Sequence, residues 1–498
     1  MSTSDESPLP ILAGIETEYG LLVDGHGAED QIDDAIAFVR SYPDPCFVGW
    51  DYHYESPRAD LRGFVLNRLT ADPEDLKFEK GRQRAPDHEV RSDRVLPNGA
   101  RFYNDHGHPE YSTPECWSIK HLAAHDAAGE VAMLRTADAF HESTDLKARV
   151  YKNNTDYHGA SYGTHENYLV PRKVGFEALY KAVTPMLIAR QLLVGAGKVG
   201  AETGNACAYQ LSQRADFFTE AFNAETLYRR PVFNTRDEPH AKPQDWIRMH
   251  VIAGDANMIC SATARKVGLV KIAAALAVSG EPPLWKLADP VEAFKVVSRD
   301  ETFRFAVQLE GRSWTTAYEI LESYFAAAEQ TLDLDADMKW TIDSSRKLLG
   351  ELTSNFAEFK KHVDWAAKRS ILETYMDDEG IDWRDPSLKS FDLEYHNVDP
   401  GEGLHAALEQ MGEVEPSPSL DELSSLLEGQ TEQNRALARG LSVSRFGKSL
   451  RAACWRSVSF ETEDGPVEVE LLPNARYPAQ LAEAVDVGSF IECLRGVM

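Results

Sequence analysis

The chain has 498 residues, of which 43% are hydrophobic and 27% charged, a balance typical of a soluble globular protein with more than one folded unit. Its net charge of −28 argues against general affinity for nucleic acids, because proteins that bind phosphate backbones carry basic surfaces. Six dispersed cysteines without a C-x-x-C pair argue against a zinc knuckle or a disulfide framework. The first residues are polar and no apolar run is long enough to span a membrane, so the sequence predicts a cytoplasmic protein that does not bind membranes.

The N-terminal part predicts a strand followed by a long polar insert. Residues 1–10 have a composition typical of disorder, and PILAGIETEYGLLV predicts the first strand. Because side chains alternate between the faces of a strand, Glu16 and Glu18 share one face. The insert, residues 24–97, contains the amphipathic segment QIDDAIAFVRSY and the aromatic stretch WDYHYESPRADLRGF. Inserts of this length are often lids or binding loops; a plain surface excursion is the alternative.

The segment ARFYNDHGHPEYSTPEC begins with a predicted strand that carries chemically capable side chains. Arg101, Tyr103 and Asp105 share one face of it, and Phe102 and Asn104 share the other. Two later predicted strands repeat this spacing, SYGTHENYLV with His165 and Asn167, and WIRMHVIAGD with Arg248 and His250. Each pattern alone is more often a solvated face or a satisfied histidine. Together they favour one antiparallel sheet with a functional face.

The remaining sequence predicts helices, a linker and a small C-terminal domain. Residues 120–142 have a helical period, and residues 313–375 are helical throughout. The polar, proline- and serine-containing stretch 413–433 is typical of a linker. RFGKSLRAACWRSVSF and PVEVELLP then suggest a helix and two strands. We therefore expect a catalytic domain over residues 11–430 and a C-terminal domain over residues 431–498.

The chemistry of the polar set favours a magnesium–nucleotide site. Hard oxygen ligands of the kind that Mg²⁺ shares with phosphates come from Glu16, Glu18 and Glu110. Planar forks for phosphate oxygens come from Arg101, Arg214 and Arg248. His165 and His250 can serve as ligands or as phosphate donors. Since the chain lacks a P-loop and the kinase signatures, such a nucleotide would have to lie on the sheet.

Five ordered segments resemble the Pup ligase/depupylase family, which is related to glutamine synthetase: GIETEYG, NGARFYNDHGHPEYSTPEC, YKNNTDYHGASYGTHENYL, YQLSQRADF and FNTRDEPHA…RMHVIAGDANM. The resemblance runs from residue 11 into the C-terminal domain. It implies an α+β fold, with a large glutamine synthetase-like domain and a small C-terminal α/β domain. In the large domain, a curved antiparallel sheet would carry the active site and helices would pack on its back.

The resemblance also implies roles for individual residues. Asp105 would be the catalytic carboxylate, acting either as a nucleophile or as a base. The residues implied to hold Mg²⁺ are Glu16, Glu18, Tyr103, Glu110, His165 and His250. Those implied to bind ATP, or ADP plus phosphate, are Arg101, Thr113, Asn167, Arg214, Arg248 and Trp455. The implied partners are Pup and pupylated proteins, and we expect the enzyme to act as a monomer.

Within this family the sequence favours a depupylase. Such an enzyme hydrolyses the isopeptide bond between the C-terminal glutamate of Pup and a substrate lysine, and deamidates the C-terminal glutamine of Pup. Three features resemble depupylases: the long insert, the spacing DHGHPE and the stretch KNN…GASYG. Two segments instead resemble ligases, GIETEYG and FDLEYHN. In addition, Asn104 stands where an aliphatic residue is usual. The alternatives are a Pup–protein ligase, a small-molecule glutamate–amine ligase and a non-enzymatic Pup-binding adaptor.

Two hypotheses concern substrate access. Residues 45–70 correspond to a depupylase-type loop, and we expect this loop to gate the site. Pup is small, disordered and acidic, so an acidic enzyme needs a local basic groove to hold it. The segments PRKVGFEALYK (171–181) and LYRRP (227–231) are the candidates for this groove.

Overall fold

A computed structural model describes residues 11–69, 86–157, 159, 161–204, 206–429 and 432–497, so the predicted disorder of residues 1–10 lies outside the described residues. The strands are β1 (Ala13–Glu18), β2 (Gly20–Val23), β3 (Arg94–Val95), β4 (Arg101–Asp105), β5 (His108–Ser112), β6 (Ala148–Tyr151), β7 (Thr164–Pro171), β8 (Lys198–Val199), β9 (Tyr209–Gln210), β10 (Phe218–Asn223), β11 (Arg230–Asn234), β12 (Trp246–Gly254), β13 (Ala306–Gln308), β14 (Trp314–Thr316), β15 (Leu450–Ala453), β16 (Ser457–Thr462) and β17 (Gly465–Glu470).

The α-helices are α1 (Gln31–Arg40), α2 (Asp87–Arg91), α3 (Ile119–Thr144), α4 (Gly175–Ala189), α5 (Gln191–Val194), α6 (Cys260–Ser279), α7 (Pro290–Ser298), α8 (Ala317–Thr331), α9 (Ala336–Ser354), α10 (Phe356–Phe359), α11 (Asp364–Glu379), α12 (Ser387–Tyr395), α13 (Leu404–Gln410), α14 (Leu420–Glu428), α15 (Arg435–Phe446) and α16 (Val487–Arg495). The region predicted to be helical from residue 313 begins instead with the short strand β14, which pairs with β13. Among the described residues, no helix combines the length and the hydropathy needed to cross a bilayer.

Six strands form the predicted antiparallel sheet, in the order β12-β7-β1-β5-β4-β3. The inner strand β1 pairs with β7 on one side and with β5 on the other. Glu16 therefore stands opposite both His165 on β7 and Ser112 on β5, and Glu18 stands opposite Glu110 on β5. This register places polar positions from distant parts of the chain side by side.

The other face of the sheet packs on helices. Ile15, Tyr168 and Met249, which come from β1, β7 and β12, are fully buried in the largest hydrophobic cluster. Val183 of α4 and Val270 of α6 lie in the same cluster. Each of these strand residues is adjacent in sequence to a polar residue of the opposite face. The strand period of two therefore separates an apolar core from a polar surface.

A buried ion pair fixes the helix side of the sheet. Arg190 Nη1 donates to Glu166 Oε2 at 2.7 Å, and Arg190 Nη2 donates to Glu166 Oε1 at 2.5 Å. The Tyr168 hydroxyl donates to Glu166 Oε2 at 2.5 Å, and both members of the ion pair are buried. The bidentate geometry and the tyrosine satisfy a charge pair that would otherwise be costly to bury.

The C-terminal part contains three strands where the sequence predicted two. The strands β15, β16 and β17 form a separate antiparallel sheet, preceded by α15 and followed by α16. RFGKSLRAACWRSVSF was predicted to begin as a helix, but α15 ends at Phe446, just before Gly447, and β15 starts at Leu450. Leu450 pairs with Phe460 of β16, and both side chains are buried in the cluster of this sheet.

The predicted linker 413–433 contains a helix, so that prediction was wrong over part of its length. Ser419 and Glu422 form a reciprocal capping box at the start of α14. Leu423 and Leu427 lie four residues apart on one helical face and are buried in the cluster that includes α3. Ser419, one of the serines that make this stretch resemble a loop, is therefore the N-cap of a packed helix.

Candidate active site

The open face of the sheet carries a carboxylate–imidazole cluster. Glu16, His165 and His250 come from three strands, and their ligand atoms all lie within 4.8 Å of one another. Glu16 Oε2 is 3.4 Å from His165 Nδ1 and 3.8 Å from His250 Nε2. Asn167 Nδ2 donates to Glu16 Oε1 at 3.0 Å. As predicted, these four side chains lie on one face of the sheet, and they are close enough to interact.

A carboxylate cluster lies next to it on the same face. Ligand atoms of Glu18, Asp105 and Glu110 also lie within 4.8 Å of one another. Glu110 Oε1 accepts hydrogen bonds from the Tyr103 hydroxyl and from Ser112 Oγ, the latter at 3.0 Å. Burial raises the pKa of Tyr103 well above its ordinary value, so its phenol stays protonated and donates. Tyr103, predicted as a metal ligand, orients Glu110 in this arrangement.

The pKa values differ sharply between the two clusters. Burial and the charges of Asp105, Glu16 and Glu18 raise the pKa of Glu110 well above its ordinary value. Burial opposes ionisation of Glu16 as well, but the positive charge of Arg248 and bonds from two histidines hold its pKa well below the ordinary value. Crowded buried carboxylates require a proton or a cation for neutralisation, and their oxygens fit Mg²⁺.

Asp105 ends its strand at a tight hairpin turn. His106 and Gly107 have φ angles of 48° and 91°, the left-handed pair expected of a two-residue hairpin. Arg91 Nη1 lies 3.5 Å from Asp105 Oδ1, and 20% of the Asp105 side chain is exposed. Burial would raise the pKa of Asp105, but the charges of His106, Arg91 and Arg101 lower it. Asp105 is therefore an ionised carboxylate that a substrate can reach.

A cleft beside Glu16 is lined by most of the residues predicted to bind a nucleotide. Its empty space is about 480 Å³, and its walls include Thr113, Asn167, Arg248 and Trp455. Arg248 Nη2 lies 3.6 Å from Glu16 Oε1, so the guanidinium connects the cleft to the carboxylate–imidazole cluster. An aromatic wall and a planar cation beside a potential metal ligand suit a nucleotide with metal-bound phosphates.

Arg101 lies on the polar face but is already engaged by neighbouring groups. Its Nε donates to Asp93 Oδ1 at 2.7 Å, and its Nη1 lies 3.5 Å from Glu55 Oε1. Its guanidinium carbon is 4.1 Å from the ring centroid of Trp50, a cation–π distance. Arg101 is not among the residues that line the cleft. Its predicted contact with phosphate thus remains a prediction.

Arg214 is buried at the carboxylate-cluster end of the site. Its Nη1 donates to the carbonyl oxygen of Tyr162 at 2.7 Å. Burial lowers the pKa of Arg214 to about 10, and the charge of Glu18 partly offsets this effect. Arg214 is not among the residues that line the cleft, and its predicted contact with phosphate remains a prediction.

The described part of the predicted gating loop, residues 45–69, lies against the cleft. Trp50 meets the ring of Trp455 edge to face, with the ring centroids 5.2 Å apart. The backbone of Ser56 donates to the carboxylate of Glu238, which itself lies 3.9 Å from Arg248 Nη1. The loop therefore contacts the aromatic wall directly and the cationic wall through Glu238. Whether it gates the site remains a prediction.

Sequence reasoning missed four residues of the site. Arg91 neutralises Asp105 but lies in the polar insert, where strand periodicity gives no guidance. Ser112 was overlooked although it follows the same spacing of two as Glu110. His240 and Arg435 line the cleft. His240 lies in the FNTRDEPHA segment, and its φ of 48° is in the left-handed region typical of turns.

In both basic segments that were predicted to hold an acidic partner, acidic side chains of the same chain pair with the cations. Three of their cations form ion pairs: Arg172 with Asp237 at 2.7 Å, Lys181 with Glu177 at 3.1 Å, and Arg229 with Glu220 at 2.8 Å. These pairs reduce the local positive charge. A basic groove at either segment remains a prediction.

The sequence is similar to Pup-processing enzymes over most of its length. A family model described as Pup-ligase protein matches residues 11–459. A depupylase of Acidothermus cellulolyticus is 36% identical, over 90% of this chain and 90% of the relative. A Pup deamidase/depupylase of Mycolicibacterium smegmatis is 34% identical, over 90% and 91%. A Pup–protein ligase of Mycobacterium marinum is 36% identical, but over 70% and 79%.

Two solved structures share the fold. The complex between the prokaryotic ubiquitin-like protein Pup and its ligase PafA has a TM-score of 0.77 at 28% identity, covering 99% of this chain and 94% of the other. PafA in complex with ADP has a TM-score of 0.71 at 28% identity, covering 87% and 96%. The expected mixed helix and sheet architecture is confirmed by this similarity.

Proposed function

The chain belongs to the family of Pup-ligase proteins, and from this membership we propose that it is a nucleotide- and magnesium-dependent depupylase. It hydrolyses the isopeptide bond between the C-terminal glutamate of Pup and a substrate lysine. It also deamidates the C-terminal glutamine of Pup to glutamate. The observation that carries this proposal is the match, over 90% of the chain, to relatives named depupylase and Pup deamidase/depupylase.

The donor set supports a magnesium-bound nucleotide. Carboxylates of Glu16, Glu18 and Glu110 would hold Mg²⁺, with His165 and His250 beside Glu16. When bound, Mg²⁺ supplies charge neutralisation and polarises oxygen atoms. The nucleotide would occupy the cleft lined by Thr113, Asn167, Arg248 and Trp455, an assignment supported by the similarity to ADP-bound PafA.

Asp105 would act on the scissile carbonyl. As an ionised carboxylate it can attack the carbonyl carbon, so that the C–N bond breaks and the lysine amine leaves with a proton from water; the resulting hydroxide then cleaves the anhydride, releasing the Pup glutamate and restoring the Asp105 carboxylate. Alternatively, it can take a proton from water as the water attacks the same carbon. Arg91, 3.5 Å away, holds the carboxylate charged in either route. Because isopeptide hydrolysis is downhill, the nucleotide serves as a bound cofactor that is not consumed at each turnover.

The proposal is tested by incubating the chain with a pupylated protein and MgATP and resolving the products. We expect free substrate and free Pup, and we expect glutamate at the end of Pup that began with glutamine. Asp105→Asn should lower cleavage by about 10²–10⁴-fold, while Asp333→Asn, on the exposed connection between α8 and α9, should not. A rate that is the same in Asp105→Asn and in the parent protein would contradict the assigned role.

A Pup–protein ligase is the second candidate. It is favoured by the 36% identity to a ligase and by the similarity to the two solved structures of PafA described above. New conjugates formed from free Pup ending in glutamate, with no cleavage of existing conjugates, would establish ligase activity instead. ADP formation from glutamate and an amine without Pup would indicate a small-molecule ligase. Pup binding that survives Asp105→Asn without any turnover by the parent protein would indicate an adaptor.

A further inference from the structure

A sulfur- and nitrogen-containing cluster lies outside the active site. Ligand atoms of Cys116, His121 and His125 all lie within 4.8 Å of one another, and over the described ranges this is one of three such groups. The other two are the active-site clusters. We infer that the Cys116–His121–His125 cluster binds a divalent transition metal that prefers thiolate and imidazole ligands, and that Zn²⁺ is the natural ion.

Local geometry fixes the three ligands. The backbone of Cys116 pairs with Ala13 at the start of β1, through N–H···O distances of 2.8 and 3.0 Å. His121 and His125 are four residues apart on α3, so they project from one helical face. Their ring centroids are 4.7 Å apart. A strand end and one helical turn therefore present three ligands from rigid elements.

The ligand types distinguish this site from the magnesium clusters. One thiolate and two imidazoles are three of the four ligands of a tetrahedral zinc site, whereas Mg²⁺ prefers oxygen. Cys116 and His125 are fully buried, and 21% of the His121 side chain is exposed. Solvent would reach the site at the exposed edge of His121, and water would be the fourth ligand.

Glu432 completes the surroundings of His121. Its Oε1 lies 3.2 Å from His121 Nδ1, and its carboxylate accepts from the backbone N–H groups of Trp117 at 2.6 Å and Ser118 at 3.1 Å. A carboxylate on one ring nitrogen orients a histidine whose other nitrogen binds a metal. Because Glu432 lies three residues before Arg435, the first residue of α15, the metal would join the catalytic sheet to the C-terminal part.

Binding has a defined proton and charge balance. The Cys116 thiol donates to the carbonyl oxygen of Pro114 at 3.6 Å, and metal binding would replace its proton, which leaves to solvent. The thiolate and the Glu432 carboxylate then offset the two positive charges of the ion.

The cluster is also connected to the nucleotide cleft. Glu115, adjacent to Cys116, pairs with Arg435 at 2.6 Å and also contacts Arg439. The Arg439 guanidinium carbon lies 4.6 Å from the ring centroid of Trp455, a cation–π distance. A metal at the Cys116–His121–His125 cluster would therefore stabilise the junction that holds one wall of the cleft in place.

Metal binding can be tested on the full chain under reducing conditions, with MgATP present to occupy the active site. The probes are Zn²⁺, measured by elemental analysis and competition, and Co²⁺, whose thiolate charge-transfer absorption reports a cysteine ligand. Cys116→Ser removes the sulfur ligand, and Cys493→Ser, which changes an exposed cysteine of α16, is its control. His121→Asn removes the partly exposed imidazole ligand, and His141→Asn, at the far end of the same helix, is its control.

We expect one equivalent of metal with a cobalt–thiolate absorption in the parent protein and in both control variants. Cys116→Ser should lose the absorption, and His121→Asn should bind at least about tenfold more weakly. Zn²⁺ should raise the unfolding temperature of the parent protein but not that of Cys116→Ser. An absorption that is absent from the parent protein, or that persists in Cys116→Ser, would overturn the inference. None of these measurements depends on depupylase activity.

Discussion

Glu110 offers a direct test of the electrostatics of the carboxylate cluster. Without a metal, its charge repels Glu18 and Asp105, whose ligand atoms lie within 4.8 Å. At an effective dielectric constant of about 20, two like charges at this separation repel by about 3.5 kcal/mol. Glu110→Gln removes this repulsion and keeps an oxygen that can accept from Tyr103 and Ser112. The variant should therefore be more stable than the parent protein when metal is removed.

Proton uptake limits the size of this gain and gives it a pH dependence. Because the pKa of Glu110 is raised above its ordinary value of 4.5, its protonated form stabilises the folded parent protein below that value, and this contribution is lost as the pH rises. Relative to the variant, the metal-free parent protein should lose about 1–3 kcal/mol between about pH 5 and pH 8. Buried acids that do not interact with Glu110 titrate equally in both proteins and cancel in the difference.

The assay is chemical unfolding in a chelator at the two pH values, with Glu463→Gln in the exposed turn between β16 and β17 as a surface control. Adding Mg²⁺ and nucleotide should reverse the order, because the parent protein gains ligand stabilisation that the variant lacks. If Glu110→Gln were equally or less stable than the parent protein at about pH 8 without metal, the like-charge account of the cluster would be wrong.

Three further changes test other parts of the structure. Arg190→Met should destabilise the chain by about 3–5 kcal/mol by leaving Glu166 charged and unpaired, and the double change with Glu166→Leu should recover much of the loss; a single-variant cost below about 1 kcal/mol would contradict the burial of this pair. Arg248→Lys should weaken ADP binding by about 10–100-fold in calorimetry, because lysine lacks the planar fork, whereas Arg451→Lys should bind normally; equal affinities would remove Arg248 from the nucleotide site. Replacing residues 50–64 with a short flexible linker should change both the cleavage rate and its response to nucleotide, and unchanged values would refute the gating hypothesis.

Strand periodicity predicted much of the sheet because each strand has one buried face. Glu16, Glu18, His165 and His250 could be assigned to the polar face from spacing alone, and the register then brought them together. The order of the strands could not be predicted in this way, because it depends on pairing between distant segments. The resemblance to a known family implied one curved antiparallel sheet but did not give the order of its strands.

Contacts made by irregular or distant segments were harder to predict. Arg91 reaches Asp105 from the end of a five-residue helix within a polar insert, a position without a periodic pattern. Helix α14 was hidden in linker-like composition because its capping residues are also common in loops. The Cys116–His121–His125 cluster was not predicted, because it combines one cysteine with two histidines a helical turn apart and no C-x-x-C pair marks it in the sequence.

The alternation along β4 restricts how this protein can evolve. Arg101, Tyr103 and Asp105 face the site while Phe102 lies in the core, so deleting one residue inside the strand would exchange these environments. Phenylalanine would enter the site, and charged groups would enter the core. A one-residue change of chain length inside β4 is therefore costly, whereas a change between strands leaves this alternation intact.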